Sequence, residues 1–347
     1  MRKGARGIAA PTRANQEREM PCARSPTLEA LAKPKVSPPP RCSNASAVRA
    51  RVVECLSPIR GQRHRWWRRA STDLRVLQHA NREYGKMLRR LPHAEAVRTV
   101  LDAGANAGFS SSLFASLLPR VATVLAVEPN AQNHAMLALN TAGHSTVLPL
   151  RAAVWGRDEP MRVDDGARKS RVANNVQWSY VTLPRPARHE PSSSDVDGVS
   201  VPTILRWACL DQFDFAKLDI EGSEWQVLSG DTASWLRATR YVYLEAHDDV
   251  GRFHNRERTG LVALHEQGFS ILAVFPSGYR FDRVYLGCNT RFLSASASPL
   301  PRPRPRPCLA HASLMLAAHR ARHARSLHTY ARASSHTRIA VEEQFSR

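Results

Sequence analysis

The stretch Thr99-Val100-Leu101-Asp102-Ala103-Gly104-Ala105-Asn106-Ala107-Gly108-Phe109-Ser110 reads as a buried strand, a glycine turn and the start of a helix. Val100 and Leu101 supply a short apolar run, and Ser110 to Leu118 has helical spacing. Gly104 and Gly108 let the main chain turn tightly and approach a ligand closely. Strand, glycine turn and helix together make a nucleotide site, although an ordinary turn whose glycines serve packing alone fits this stretch equally well. Asp102 stands at the strand's carboxyl end, where it can orient the turn amides or reach a ligand's polar atoms.

The chain beyond favours the nucleotide site. A second strand, Ala122 to Val127, ends in Glu128, placed to accept hydrogen bonds from both ribose hydroxyls of an adenosine ligand. That placement also suits a nicotinamide dehydrogenase. The glycines, however, form Gly-x-x-x-Gly rather than Gly-x-Gly-x-x-Gly, which points to a ligand without a pyrophosphate. Pro129-Asn130 opens the next helix, and a third strand covers Thr146 to Leu150. Main-chain groups of Arg151-Ala152-Ala153-Val154 then lie where they can meet an adenine. From 156 to 198 the periodicity fails, and Pro184, Pro186, Pro191 and Ser192-Ser193-Ser194 suggest an insertion or lid whose Pro/Ser half lacks fixed structure.

The second informative stretch, Phe213 to Glu224, carries Lys217, Asp219, Glu221 and Glu224 at a strand's carboxyl end and the following helix start. Favourable acids at a helix N-terminus account for Glu224 and in part Glu221, but poorly for Asp219 and Lys217. A carboxylate beside a lysine stays ionised near neutral pH and can take a proton from a hydroxyl. A fifth strand from Tyr241 ends in Glu245-Ala246-His247-Asp248, so acid and imidazole converge on the same sheet edge. A helix over Arg256 to Gln267 and two strands, Gly268 to Val274 and Arg283 to Cys288, close the domain. Their short connection at Pro276-Ser277-Gly278 predicts an antiparallel pair.

Alternating strands and helices with a terminal hairpin predict an α/β fold, the Rossmann-like class I methyltransferase. Its seven-stranded sheet is mostly parallel, with a C-terminal antiparallel hairpin and helices on both faces. The segment from about Val97 to Leu293 resembles FkbM-type methyltransferases in Leu101-Asp-Ala-Gly-Ala-Asn-Ala-Gly108, Val127-Glu-Pro-Asn130, Asn140, Lys217-Leu-Asp-Ile-Glu-Gly-Ser-Glu224 and Leu244-Glu-Ala-His247. The resemblance implies S-adenosylmethionine as methyl donor and O-methylation of a sugar or other small-molecule or glycan hydroxyl. It implies Asp102, Gly104, Asn106 and Gly108 around the methionine end of the cofactor and Glu128 at the ribose; by their places in the chain, Asn130 and Ala153 are added to the expected cofactor contacts. Asp219, Glu221 and Glu245 would face the acceptor. Where the family often has Thr-Leu-Asp, this chain has Thr203-Ile-Leu-Arg206, so the acceptor does not transfer. For the chemistry, Asp219 is the first choice as base or acceptor anchor, paired with Lys217. His247 is the rival base, and Glu221 and Glu245 position the acceptor. Asp219, Glu221 and Glu245 equally suit Mg²⁺.

The formal charge of +20 invites a nucleic-acid reading, but residues 93–293 carry 20 Lys and Arg against 22 Asp and Glu. The excess belongs to the flanks, 21 against 6 in residues 1–92 and 9 against 2 in residues 294–347. An RNA-directed methyltransferase using these basic tails, or a non-catalytic nucleotide-binding partner protein, are the competing readings. The absence of an Asn-Pro-Pro-Tyr-like signature weighs against base methylation. Residues 1–72 are expected to be a disordered basic leader, and 73–92 an amphipathic helix through Leu74, Leu77, Asn81, Tyr84, Leu88 and Leu91, either packed on the sheet edge or covering the cofactor mouth. Residues 93–293 are the methyltransferase domain, and 294–347 a disordered tail opened by the Pro301 to Pro307 spacer, with helical promise only around Ala312 to Ala321. No apolar run reaches the length of a membrane span or follows the first arginines as a secretory signal would. The Arg-rich, acid-poor leader suits an organelle transit peptide or a solvated tail, hence a cytoplasmic or organellar protein. Six cysteines without Cys-x-x-Cys spacing fit free thiols.

Overall fold

The computed structural model describes residues 52–55, 65–68, 73–164, 180–186, 188, 190, 192–247, 260–276 and 283–292. Outside these residues lie most of the leader, 165–179 of the insertion, Asp248, the first residues of the helix expected from Arg256, the Ser277-Gly278 connection and the tail from Leu293. The chain divides into two compact units, 1–201 with 213–298, and 202–212 with 299–347.

In chain order the elements are β1 (Val52–Cys55), β2 (Arg65–Arg68), α1 (Asp73–Leu88), β3 (Thr99–Ala103), α2 (Phe109–Leu117), β4 (Thr123–Val127), α3 (Ala131–Thr141), β5 (Val147–Leu150), β6 (Ala153–Val154), β7 (Glu159–Asp164), β8 (Val181–Pro184) and β9 (Asp195–Val199). Helix α4 (Val201–Ala208) makes up most of what is described of the second unit. Then follow β10 (Phe215–Leu218), α5 (Glu224–Leu228), β11 (Tyr241–Ala246), α6 (Gly260–Glu266), β12 (Phe269–Pro276) and β13 (Arg283–Asn289).

The main sheet has seven strands in the order β12-β13-β11-β10-β3-β4-β5. The five from β11 to β5 run parallel, and the β12–β13 hairpin joins β11 antiparallel. This is the doubly wound sheet expected from the sequence. Strands covered on both faces expose no position to solvent, and all five residues of β3 and all six of β11 are buried, mostly apolar but with Thr99, Asp102 and Glu245 among them.

Register and side-chain alternation decide what meets what. Phe215 pairs with Val100 and Tyr241, and two residues on Lys217 pairs with Asp102 and Tyr243, so these side chains share one face of the sheet. Helices α1 and α2 cover that face through edge-on aromatic contacts: Tyr84 to Tyr243 at 5.2 Å, Tyr84 to Phe114 at 5.7 Å and Phe114 to Phe215 at 5.4 Å between ring centres. Each such pair contributes about 0.5–1.5 kcal/mol beyond burial of its area. Helix α1 therefore packs on the face of the sheet, not on its edge, and brings Tyr84 to the carboxyl ends of the strands. At the opposite end of the strands, Asp214 accepts from the Arg98 and Thr99 amides at 2.8 and 3.1 Å, fastening β3 to β10.

Two expectations are corrected. Within the stretch expected to be an irregular insertion, β7, β8 and β9 pair with β6 in a four-stranded sheet, in the order β6-β9-β7-β8, around buried Ala153, Trp155, Met161, Val163 and Val196. The alternation was there to read in Met161 and Val163, but prolines and charges on the exposed positions masked it. Within the leader, β1 and β2 form an antiparallel pair where no ordered element was expected. No described helix is long and apolar enough to cross a membrane.

Candidate active site

The glycine turn after β3 leaves no room for a side chain. Gly104 has φ +75°, and a Cβ there would lie 1.8 Å from the Asp219 carbonyl oxygen; Gly108 has φ +85°, and its Cβ would meet Leu137 at 2.8 Å. Asn106, between them, is also left-handed at φ 49°. The amides of Gly104 and Ala105 both donate to Val127 O at 3.0 Å, which ties the turn to the end of β4. The turn is therefore built against the ends of two neighbouring strands, and β10 passes close enough to forbid a methyl group.

Glu128 sits where β4 ends. Its Oε2 accepts from the Asn106 amide at 2.9 Å, and its Oε1 from the Asn130 amide at 2.9 Å. Burial raises its pKa to about 7 even though these amides and Asn133 favour the charged form. Asn130, expected among the cofactor contacts, spends its side chain on helix α3, where Oδ1 caps the amides of Gln132 and Asn133 at 2.9 and 3.0 Å. Ala153 lies buried in the smaller sheet, paired with Gly198. Arg151 links that sheet to the Glu128 turn by donating to Pro129 O at 3.4 Å and to Ser193 O and Asp195 O at 2.9 and 3.1 Å.

Beneath the turn lies a buried charge row. Lys217 Nζ, its side chain 1% exposed, is 3.2 Å from Asp102 Oδ1 and 3.3 Å from Asp219 Oδ2, and donates to the carbonyls of Ala103 and Gly104 at 3.2 and 2.9 Å. Asp102 Oδ2 accepts from Ser110 and Ser111 Oγ, both at 2.6 Å. Both residues are corrected accordingly: Asp102 is fully buried with its carboxylate turned to Lys217 and the two serines, so it shapes the turn from below instead of facing a ligand. Lys217, expected among the catalytic groups, is 1% exposed and has its ammonium taken up by Asp102, Asp219 and two main-chain carbonyls. Burial opposes charge on both Lys217 and Asp219, yet their mutual attraction outweighs it, raising the lysine pKa and lowering that of Asp219. Tyr84 donates from its hydroxyl to Asp219 Oδ2 at 3.2 Å.

The remaining acids gather around His247. Glu224 Oε1 lies 2.8 Å from His247 Nδ1, and the Glu224 carboxylate also accepts from the amides of Ile220 and Gly222 at 2.9 and 3.0 Å. Those bonds hold the loop in which Glu221 stands left-handed at φ 54°. Burial disfavours charge on His247, but Glu224, Glu221 and Asp219 overcome it and raise its pKa well above the usual value. In the absence of a bound cation this favours the charged imidazole, which weighs against the base role expected of it. Burial raises Glu221 to about 8, against the pull of His247. Glu245 is buried at the end of β11 and acts on Tyr243 and Glu221 through its charge. The set whose ligand atoms come together, all within 4.8 Å, is Asp219, Glu221 and His247, so the imidazole takes the place expected of Glu245.

Two participants escaped the sequence reading. Tyr84 showed only as one apolar position of an amphipathic helix, and Glu224 only as a favourable acid at a helix start. The Glu221–Glu224 spacing across Gly222 was the available signal for a turn closed by its own carboxylate.

Residues 102–271 match the model of the methyltransferase FkbM domain. In this segment the chain is similar to FkbM methyltransferases. Three solved structures similar to it are the methyltransferase FkbM from Methylobacillus flagellatus KT (16% identity, 60% of this chain and 47% of that one, TM-score 0.39), EvdMO1 (14% identity, 61% and 40%, TM-score 0.30) and Aeropyrum pernix fibrillarin with natively bound S-adenosyl-L-methionine (12% identity, 69% and 94%, TM-score 0.35). The chain spans less than half the length of the first two. No curated protein matches it. The FkbM match runs from Asp102 near the end of β3 to Ile271 early in β12 and so begins after α1, which leaves the segment supplying Tyr84 outside it.

Proposed function

We propose that this chain transfers the methyl group of S-adenosylmethionine to a hydroxyl of a sugar or other small-molecule or glycan acceptor. The observation that carries this reading is the contact between Gly104 and Asp219: the turn suited to the cofactor's methionine end and the acid suited to the acceptor are main-chain neighbours. Methyl transfer needs the acceptor oxygen in line with the sulfonium methyl, and adjacent subsites are what such alignment requires. Glu128, ionised on binding, accepts from the ribose hydroxyls while its amide partners keep it fixed. Asp219, kept charged by Lys217 and oriented by Tyr84, accepts from the acceptor hydroxyl and fixes its direction of approach. The sulfonium already activates the methyl group, so the protein's task is positioning: as the oxygen–methyl bond forms and the sulfur–methyl bond breaks, the hydroxyl proton passes to Asp219, whose side chain is partly open to solvent.

The test is transfer of labelled methyl from S-adenosylmethionine, by the full chain, to separate pools of sugars, small polyols, glycans and RNA. Transfer to a hydroxyl compound, little changed by salt, is expected. Transfer confined to RNA and falling steeply with salt would overturn the acceptor class and favour the basic flanks as the binding surface.

A further inference from the structure

We propose that Asp219, Glu221 and His247 form a site for one divalent first-row transition cation, with Mn²⁺ preferred over Mg²⁺. Their ligand atoms lie within 4.8 Å of one another. Three ligands on one face of an octahedron, each about 2.1 Å from the ion, stand about 3 Å apart, so closure asks for side-chain rotation of about 1–2 Å and no change in the strands.

His247 supplies the independent sign of a ligand. Its side chain is 6% exposed, and Nδ1 is engaged by Glu224 at 2.8 Å. Nε2 makes no hydrogen bond among the described residues and faces the Glu221 carboxylate at 3.7 Å. An imidazole fastened through one nitrogen to a carboxylate, with the other nitrogen turned towards further oxygens, is how proteins fix the tautomer and angle of a metal-bound histidine. Glu224 is itself held by the Ile220 and Gly222 amides, so the support extends a further step into the main chain. Asp219 is steadied from the other side by Lys217 and Tyr84.

The donor set defines the class of ion. Two carboxylates and one imidazole leave positions open on a six-coordinate cation, and the nitrogen donor shifts preference away from Mg²⁺ towards Mn²⁺, Fe²⁺ or Co²⁺. What fills the open positions rests on the proposed function: vicinal hydroxyls of the acceptor, chelated beside the Gly104 turn. Binding of the cation itself does not depend on that reading.

The experiment titrates the full chain with Mn²⁺, followed by electron paramagnetic resonance, and measures S-adenosylmethionine binding on the same samples. One bound Mn²⁺ per chain is expected, with ¹⁴N modulation from the imidazole and at least tenfold weaker competition by Mg²⁺. His247→Gln should abolish the nitrogen signature and weaken Mn²⁺ at least tenfold while S-adenosylmethionine still binds; Glu224→Gln, a milder change, should weaken Mn²⁺ about tenfold. Absence of stoichiometric Mn²⁺, Mn²⁺ without nitrogen coupling, or equal binding of Mg²⁺ would each overturn the proposal. Loss of S-adenosylmethionine binding with Mn²⁺ retained would instead sink the proposed function alone.

Discussion

Lys217 Nζ lies 3.2 Å from Asp102 Oδ1 at the foot of the glycine turn, both side chains shut off from solvent. A buried pair of this kind contributes less than its attraction suggests, but removing one partner leaves the other charge stranded. Lys217→Met would strand Asp102 and release Asp219 from its counter-charge. The expected loss is about 3–5 kcal/mol of unfolding free energy, read by urea denaturation. Tyr84→Phe, which removes a single hydrogen bond to Asp219, should cost about 0.5–1.5 kcal/mol by the same measurement. A Lys217→Met protein as stable as the parent would contradict the role assigned to the row.

Two glycines give opposite forecasts. Gly104→Ala puts a methyl 1.8 Å from the Asp219 carbonyl and strains a φ of +75°, so the turn or the end of β10 must move. Folding yield should fall sharply, and any folded fraction should be destabilised by more than about 2 kcal/mol. Gly143→Ala meets nothing within 4 Å and should stabilise by about 0.4–1 kcal/mol through the unfolded chain. Thermal denaturation of the pair checks both.

Glu128 is expected to make stability and S-adenosylmethionine binding depend on pH in opposite senses. Its pKa rises from 4.5 to about 7 on folding. Between those values the folded protein binds more protons than the unfolded chain, so this group's contribution to stability is present at low pH and is lost as pH rises through about 7. The change is about 3 kcal/mol in all. Glu128→Gln should flatten that part of the stability profile. Ribose hydroxyls need the ionised carboxylate, so S-adenosylmethionine affinity should rise about tenfold between about pH 6 and 8 and release protons on binding. Titration calorimetry in buffers of different ionisation enthalpy measures both.

Much of this was legible because period and punctuation agree in the chain. Val100-Leu101 before Gly104, and Val124 to Val127 before Glu128, announce buried parallel strands with acids at their carboxyl ends. The short link before Arg283 announces the hairpin. Direction of a side chain is what sequence conceals: Asp102 and Asp219 both end strands, yet Asp102 turns to Ser110, Ser111 and Lys217 while Asp219 stays partly open. Asn130 looks like a ligand contact and is a cap. Tyr84 reaches Asp219 over a separation of 135 residues, which no local pattern could indicate. The smaller sheet was hidden because Pro160, Pro184 and the charged residues between them occupy the positions where strand alternation is usually recognised.

The central claim is that the Gly104–Gly108 turn and Glu128 form an S-adenosylmethionine site, and calorimetric titration of the full chain with S-adenosylmethionine, its demethylated product and NAD tests it most directly. The expected result is saturable one-to-one binding of the first two and none of NAD, with Glu128→Ala weaker by about 1–3 kcal/mol. Binding of NAD in their place, or unchanged S-adenosylmethionine affinity in a folded Glu128→Ala protein, would contradict it.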